Sequence, residues 1–148
     1  MKNRIIAFSL FSCIGITAEI FFTSIYNNVE AVMHHQPVNW TLQGRSYIWM
    51  FFIYGFASLF FPFAMDRMTK IPQFFKLLVF AAGIFVVEFI SGFLLEKFTG
   101  RCPWQYTEGL HIMGYIRLDY LPAWMGFAYL LERLVIYFRE LGVIPKPA

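Results

Sequence analysis

Four long apolar stretches constrain this chain more than any other feature of its sequence. They cover residues 5–26, 47–65, 75–95 and 120–138, each long enough for a hydrocarbon core of ~30 Å, which takes ~20 helical residues. A segment standing alone in lipid must satisfy its own main-chain hydrogen bonds, and these stretches lack the polar–apolar alternation of a membrane-barrel strand. The expectation is an all-α polytopic membrane protein, a four-transmembrane-helix bundle in which residues 1–148 form a single membrane domain. Two longer loops, at about 27–46 and 96–119, emerge on one face, and a short basic turn at 66–73 on the other.

Composition agrees with this reading. Hydrophobic residues make up 59% of the chain and charged residues 14%, whereas a soluble domain carries about 25% charged residues. In water such a chain would expose apolar patches of a size that soluble monomers avoid. The net charge of +3 does not indicate nucleic acid as a partner, because the 12 Lys and Arg residues are scattered between apolar runs and give no basic face. Cys13 and Cys102 fit neither a disulfide framework nor a zinc spacing, and nothing in the sequence calls for a metal or a cofactor. Met1-Lys2-Asn3-Arg4 opens the first run as it would a signal peptide. The run is too long for that class, however, and Thr17-Ala18 makes a poor cleavage site, so the segment reads as a permanent helix.

Orientation follows from the basic residues. Lys2, Arg4, Arg67, Lys70, Lys76, Arg139 and Lys146 fall on one face, against Arg45, Lys97, Arg101 and Arg117 on the other, with Arg133 inside the fourth span. The excess places both termini in the cytoplasm of a plasma or inner membrane. Asn39-Trp40-Thr41 on the opposite face has the form of a glycosylation sequon, a triplet frequent by chance.

Three glutamates, Glu19, Glu88 and Glu132, lie within apolar runs. Each costs ~2.5–3.5 kcal/mol at the bilayer centre on insertion scales. At ~1.5 Å per residue, Glu19 and Glu88 fall in the outer half of the membrane and Glu132 near middle depth or slightly below. Convergence of the three inside a bundle would make a cation site, a proton relay or a cluster of protonated carboxyls, with Tyr54 on the cavity wall. The competing reading is structural: a protonated Glu hydrogen-bonds a neighbouring helix and holds it. Gly55, Ala57 and Ser58, with Ser91 and Gly92, are small enough to let helices approach closely, and Pro62 predicts a kink.

The segment Gly100-Arg101-Cys102-Pro103-Trp104-Gln105-Tyr106 reads as a tight turn with an interfacial aromatic anchor. Its Cys-Pro-Trp-x-Tyr, after Glu-Phe-x-x-Gly-Phe at residues 88–93, resembles the transmembrane protein 229 family, whose domain is catalogued in bacteria as a type IV ABC-transporter membrane protein (CmpB-like). Further matches follow in order: Asn39-Trp40, Gly44, Trp49, Ile53-Tyr54-Gly55, Met113-Gly114, Ile116, Leu118, Tyr120, Trp124 and Glu132, with Glu19 at a family-like acidic position. The resemblance covers about residues 15–135 and implies a small multi-span membrane protein. The chain has no Gly-x-x-x-x-Gly-Lys-[Ser/Thr] loop, so the resemblance implies a separate ATPase subunit. Four spans are few for a permease, which implies a homo-oligomer or a partner membrane subunit.

Three functions are then open. In the first, a transporter or permease component handles an ion, proton or small polar solute. Glu19, Glu88, Glu132, Tyr54, Arg101, Trp104 and Tyr106 are the candidate substrate- or ion-binding residues. In the second, a membrane enzyme acts on a lipid or lipophilic substrate, with Glu19 or Glu88 as base and Arg101, Tyr106 and His111 orienting a head group. In the third, the chain is a structural or regulatory subunit whose glutamates only pack helices. Dispersed intramembrane acids favour the first.

Overall fold

The computed structural model describes residues 2–147; the side chain of Lys2, counted above with the basic flank, lies outside that description. The elements are α1 (Lys2–Met33), α2 (Ile48–Arg67), α3 (Gln73–Thr99), a short hairpin of β1 (His111–Ile112) and β2 (Ile116–Arg117), a 3-10 turn (Leu118–Tyr120) and α4 (Leu121–Glu140). Helices α1, α2 and α3 are long and apolar enough to cross a membrane, and only 22%, 22% and 17% of their most apolar windows are buried inside the protein. An exterior that is apolar to this degree is suited to lipid. Helix α4, with 20 residues as long as α2, carries Glu132, Arg133, Arg139 and Glu140 in its second half and is not among the helices that meet that standard.

Helix α1 is longer than its apolar run. It continues past Tyr26 to Met33, because Glu30, Ala31 and Met33 are good helix formers and no breaker precedes His34. It stops where His35 takes φ 56° and the Gln36 amide reaches back to the Ala31 carbonyl at 2.8 Å, a Schellman-type ending, with Pro37 just beyond. Helix α3 likewise overruns its expected end and closes at Gly100, φ 81°. The loop at 96–119 also holds structure that apolarity did not announce. Met113 and Gly114 both take positive φ, at 51° and 75°, as a primed turn requires; the Tyr115 amide closes that turn on the Ile112 carbonyl at 3.0 Å, and Ile112 pairs with Ile116 just beyond it.

The described chain forms two compact units. One comprises residues up to Ala64 together with those from Arg139 onward, and the other Met65–Phe138. In the first, α1 and α2 run antiparallel. The Ser12 hydroxyl donates to the Phe51 carbonyl at 2.6 Å, the Phe8 ring meets Phe51 and Phe56 edge-on, and the Tyr54 ring sits where a Gly15 side chain would stand. Helix α2 stays helical through Pro62.

The segment between these helices returns along α1 as a strap. Asn28 brackets the Asn39 main chain, accepting from its N–H at 2.8 Å and donating to its carbonyl at 3.0 Å. Lower down, Asn27 donates to the Gln43 carbonyl at 3.3 Å and Thr23 accepts from the Arg45 amide at 2.9 Å. Gly44 is pressed so close to α1 that a Cβ there would stand 1.9 Å from the Ile20 carbonyl oxygen.

Gly44→Ala therefore has to push the strap off α1. The expected cost is ~1–3 kcal/mol, as for other overpacked sites, read as a lower Tm in detergent and faster proteolysis between residues 34 and 47. Gly83 provides the contrast, because a Cβ added there would meet nothing within 4 Å. Gly83→Ala should leave Tm unchanged or raise it, since Ala favours a helix by ~0.8–1.0 kcal/mol.

Candidate functional site

Glu19, Glu88 and Glu132 each find partners within their own unit. Glu19 is one of the half-buried residues of α1. Its Oε2 accepts from the Ser46 hydroxyl of the strap at 2.8 Å and from the Tyr54 hydroxyl of α2 at 3.1 Å. Beside this trio lies an open cavity of about 700 Å³ lined by Ile16, Ile20, Gly44, Arg45, Ser46, Tyr47 and Ile48. Of the sequence candidates, Glu19 and Tyr54 are thus brought together. Ser46 escapes sequence reasoning because a loop serine carries no signal until the loop is known to fold back.

Glu88 sits on α3 under the loop that follows it. The Tyr106 hydroxyl points at its Oε1 from 3.4 Å, a long contact for an O–H donor. One turn further along the same face, Gly92 makes room for the loop: a Cβ there would lie 3.2 Å from Cys102 Sγ, 3.3 Å from Tyr115 Cδ1 and 3.4 Å from Trp104 Nε1. A turn later the Tyr115 hydroxyl bonds Glu96 in a short contact, and the Tyr115 ring meets Phe89 and Phe93 edge-on. Trp104 therefore packs into the loop cap, and its buried indole N–H meets no acceptor among the described residues. Arg101 is exposed, and its carbonyl accepts from Thr99 at 3.0 Å. Glu96 and Tyr115 escape sequence reasoning because both fall in what reads as loop.

Glu132 has a different environment. It is 7% exposed and forms a short ion pair with Lys76, while Gln73 Nε2 donates to its other oxygen at 2.6 Å. Both partners belong to the first turn of α3, so this acid fastens α4 to the start of α3. In the sequence Lys76 reads only as a flanking charge.

Beyond the spans, three groups have shifted titration. The hydrogen bond to Glu96 holds the Tyr115 phenol above its ordinary 10.0. Arg117 hydrogen-bonds Asp119 at 2.9 Å and 3.0 Å and holds its carboxyl below the usual 3.8. Burial pushes the Cys102 thiol up, and the negative charges of Glu96 and Glu88 add to the effect.

Removing one partner of a buried ion pair costs ~3–5 kcal/mol, whereas replacing both with apolar groups is often near neutral. Thermal unfolding should accordingly show Glu132→Leu and Lys76→Met each strongly destabilising, and the double variant less so than the sum. For Tyr115 the sign is that of a raised group. The unfolded chain releases the phenolic proton at its ordinary 10.0 while the folded chain retains it, so the stabilisation is complete below that pH and is lost as pH rises through the higher folded value. Wild-type protein should loosen in that alkaline range more steeply than Tyr115→Phe, measured as access of a soluble quencher to tryptophan fluorescence.

No solved structure matches the chain. The family model described as "Putative ABC-transporter type IV" matches residues 6–144, nearly the whole length over which the helices, the strap and the loop cap are built. The chain belongs to that family of ABC-transporter-like membrane proteins.

Proposed function

We propose that the chain is the membrane-embedded component of a transporter, in which Glu19 and Glu88 handle a proton, an ion or a small polar solute. The observation that carries this reading is the contrast between the acids. Glu132 is neutralised by Lys76, the arrangement of a fixed structural charge. Glu19 is met by the hydroxyls of Ser46 and Tyr54, which can donate to a carboxylate or rearrange around a carboxyl. An intramembrane acid held by neutral hydroxyls can change its charge without leaving a buried cation behind.

In this reading α4 is the fourth span. Its 20 residues reach ~30 Å, and the Lys76 pair removes the charge of Glu132 from the cost of insertion. The basic-residue excess supports a cytoplasmic position for both termini. Family membership together with the missing phosphate-binding loop calls for a separate ATPase subunit, and a homo-oligomer or second membrane subunit completes the path.

The test is infrared titration of the carboxyl bands in lipid nanodiscs, comparing wild type with Glu19→Gln and Glu88→Gln. A band that titrates between about pH 5 and 9, or moves on addition of a cation, and is missing from one variant supports proton or ion handling. Carboxyl bands silent across that range in wild type would reduce both acids to packing elements and remove the transport reading.

A further inference from the structure

The strap and α2 start at an unexpected height on α1. Ser12 meets Phe51, Gly15 meets the Tyr54 ring, and Glu19 meets Ser46, so the first residues of α2 stand beside the middle of α1. From Gly15, α1 continues to Met33, which is ~27 Å at ~1.5 Å per residue. The two helices are offset along their axes rather than flush.

The polar end of this unit fixes where the membrane lies against that offset. The Asn3 side chain donates to the Gly142 carbonyl at 3.0 Å, Arg4 is exposed, and Arg139 donates to the Pro145 and Pro62 carbonyls at 3.1 Å and 3.5 Å. These groups belong at a polar interface. A hydrocarbon core of ~30 Å measured from Asn3 takes ~20 residues of α1 and ends near Thr23. Ile20 and Glu19 then lie ~5–6 Å below the opposite boundary. The strap residues in contact with them, Gly44 and Ser46, lie at the same depth, and Ile48 begins α2 there.

Non-helical backbone at that depth is tolerated only when it is buried in protein or lines water. The strap here is not buried: Gly44 and Ser46 are half-buried and Arg45, Tyr47 and Ile48 exposed, and the residues Gly44–Ile48 form one wall of the cavity of about 700 Å³. The first amides of a helix also have no carbonyl of their own helix to bond, and α2 starts in this wall. We infer that residues 44–47 enter the membrane as non-helical backbone ahead of α2 and that the cavity they wall is a water-filled vestibule, open on the loop-bearing face, through which a proton or small inorganic cation reaches Ser46 and, through its hydroxyl, Glu19. The inference rests on the transport reading and deepens it by naming the entry route to Glu19.

Thiol reagents test it, because they attack the thiolate, which forms in water and not in lipid. In a background with Cys13→Ser and Cys102→Ala, Ile20→Cys and Ile48→Cys line the cavity, while Phe21→Cys lies beside Ile20 on α1 but outside the lining. A membrane-impermeant, charged methanethiosulfonate added from the loop-bearing face should label both cavity positions on the order of tenfold faster than Phe21→Cys. Equal, slow labelling of all three would mean a lipid-filled groove and would overturn the vestibule. A readout free of substitutions supports the comparison: on transfer of wild type to D2O, the carboxyl band absent from Glu19→Gln should shift within the mixing time, and a shift taking hours would equally sink the idea. Labelling reports water alone. Fast labelling beside a Glu19 that never titrates would therefore leave the vestibule standing and remove the transport reading instead.

Discussion

In lipid, main-chain amides and carbonyls have no solvent to bond with, and this chain meets that constraint in two ways. Most of its apolar length is helix, which satisfies each group internally. The stretch between α1 and α2 is not helical, and there side chains take over. Asn28, Asn27 and Thr23 are spaced along one side of α1 and bond the strap's main chain at Asn39, Gln43 and Arg45. These polar residues look misplaced in the last turns of an apolar helix until the strap is laid beside them. The position of Ser46, and with it one of the two hydroxyls on Glu19, depends on their holding it there.

Charge is arranged by the same economy of partners. Glu132 joins α4 to the first turn of α3, where Lys76 and Gln73 supply a charge and a donor. Glu96 and Glu88 are approached by phenols of the following loop, so the loop cap is held to α3 by the Tyr115–Glu96 hydrogen bond, the longer Tyr106–Glu88 contact and the aromatic edges around Tyr115. Gly92 lies between the two acids on that face and admits the cap. The Glu-Phe-x-x-Gly-Phe and Cys-Pro-Trp-x-Tyr segments, separate on paper, are the two halves of one packed surface.

The helices were legible because apolarity over some twenty residues has few other physical outcomes. Their ends were less so. Asn27–Met33 reads as loop since its composition turns polar, yet helix propensity and a Schellman ending carry α1 on to Met33. The acids stood out by their cost in lipid. Their partners did not: Ser46, Lys76, Gln73 and Tyr115 are ordinary residues whose meaning comes only from which helix face or loop they are folded against. Sequence distance explains the difference, since Glu132 finds Lys76 and Glu19 finds Ser46 across intervals that no local pattern spans.

The two cysteines have a quiet consequence for where such a protein can work. Cys13 is exposed on the apolar body of α1, and Cys102 is 6% exposed beneath the cap, with its thiol held protonated by burial and by nearby acids. The buried Cys102 thiol therefore offers little thiolate to oxidants, metals or disulfide-exchange enzymes arriving from the loop-bearing face.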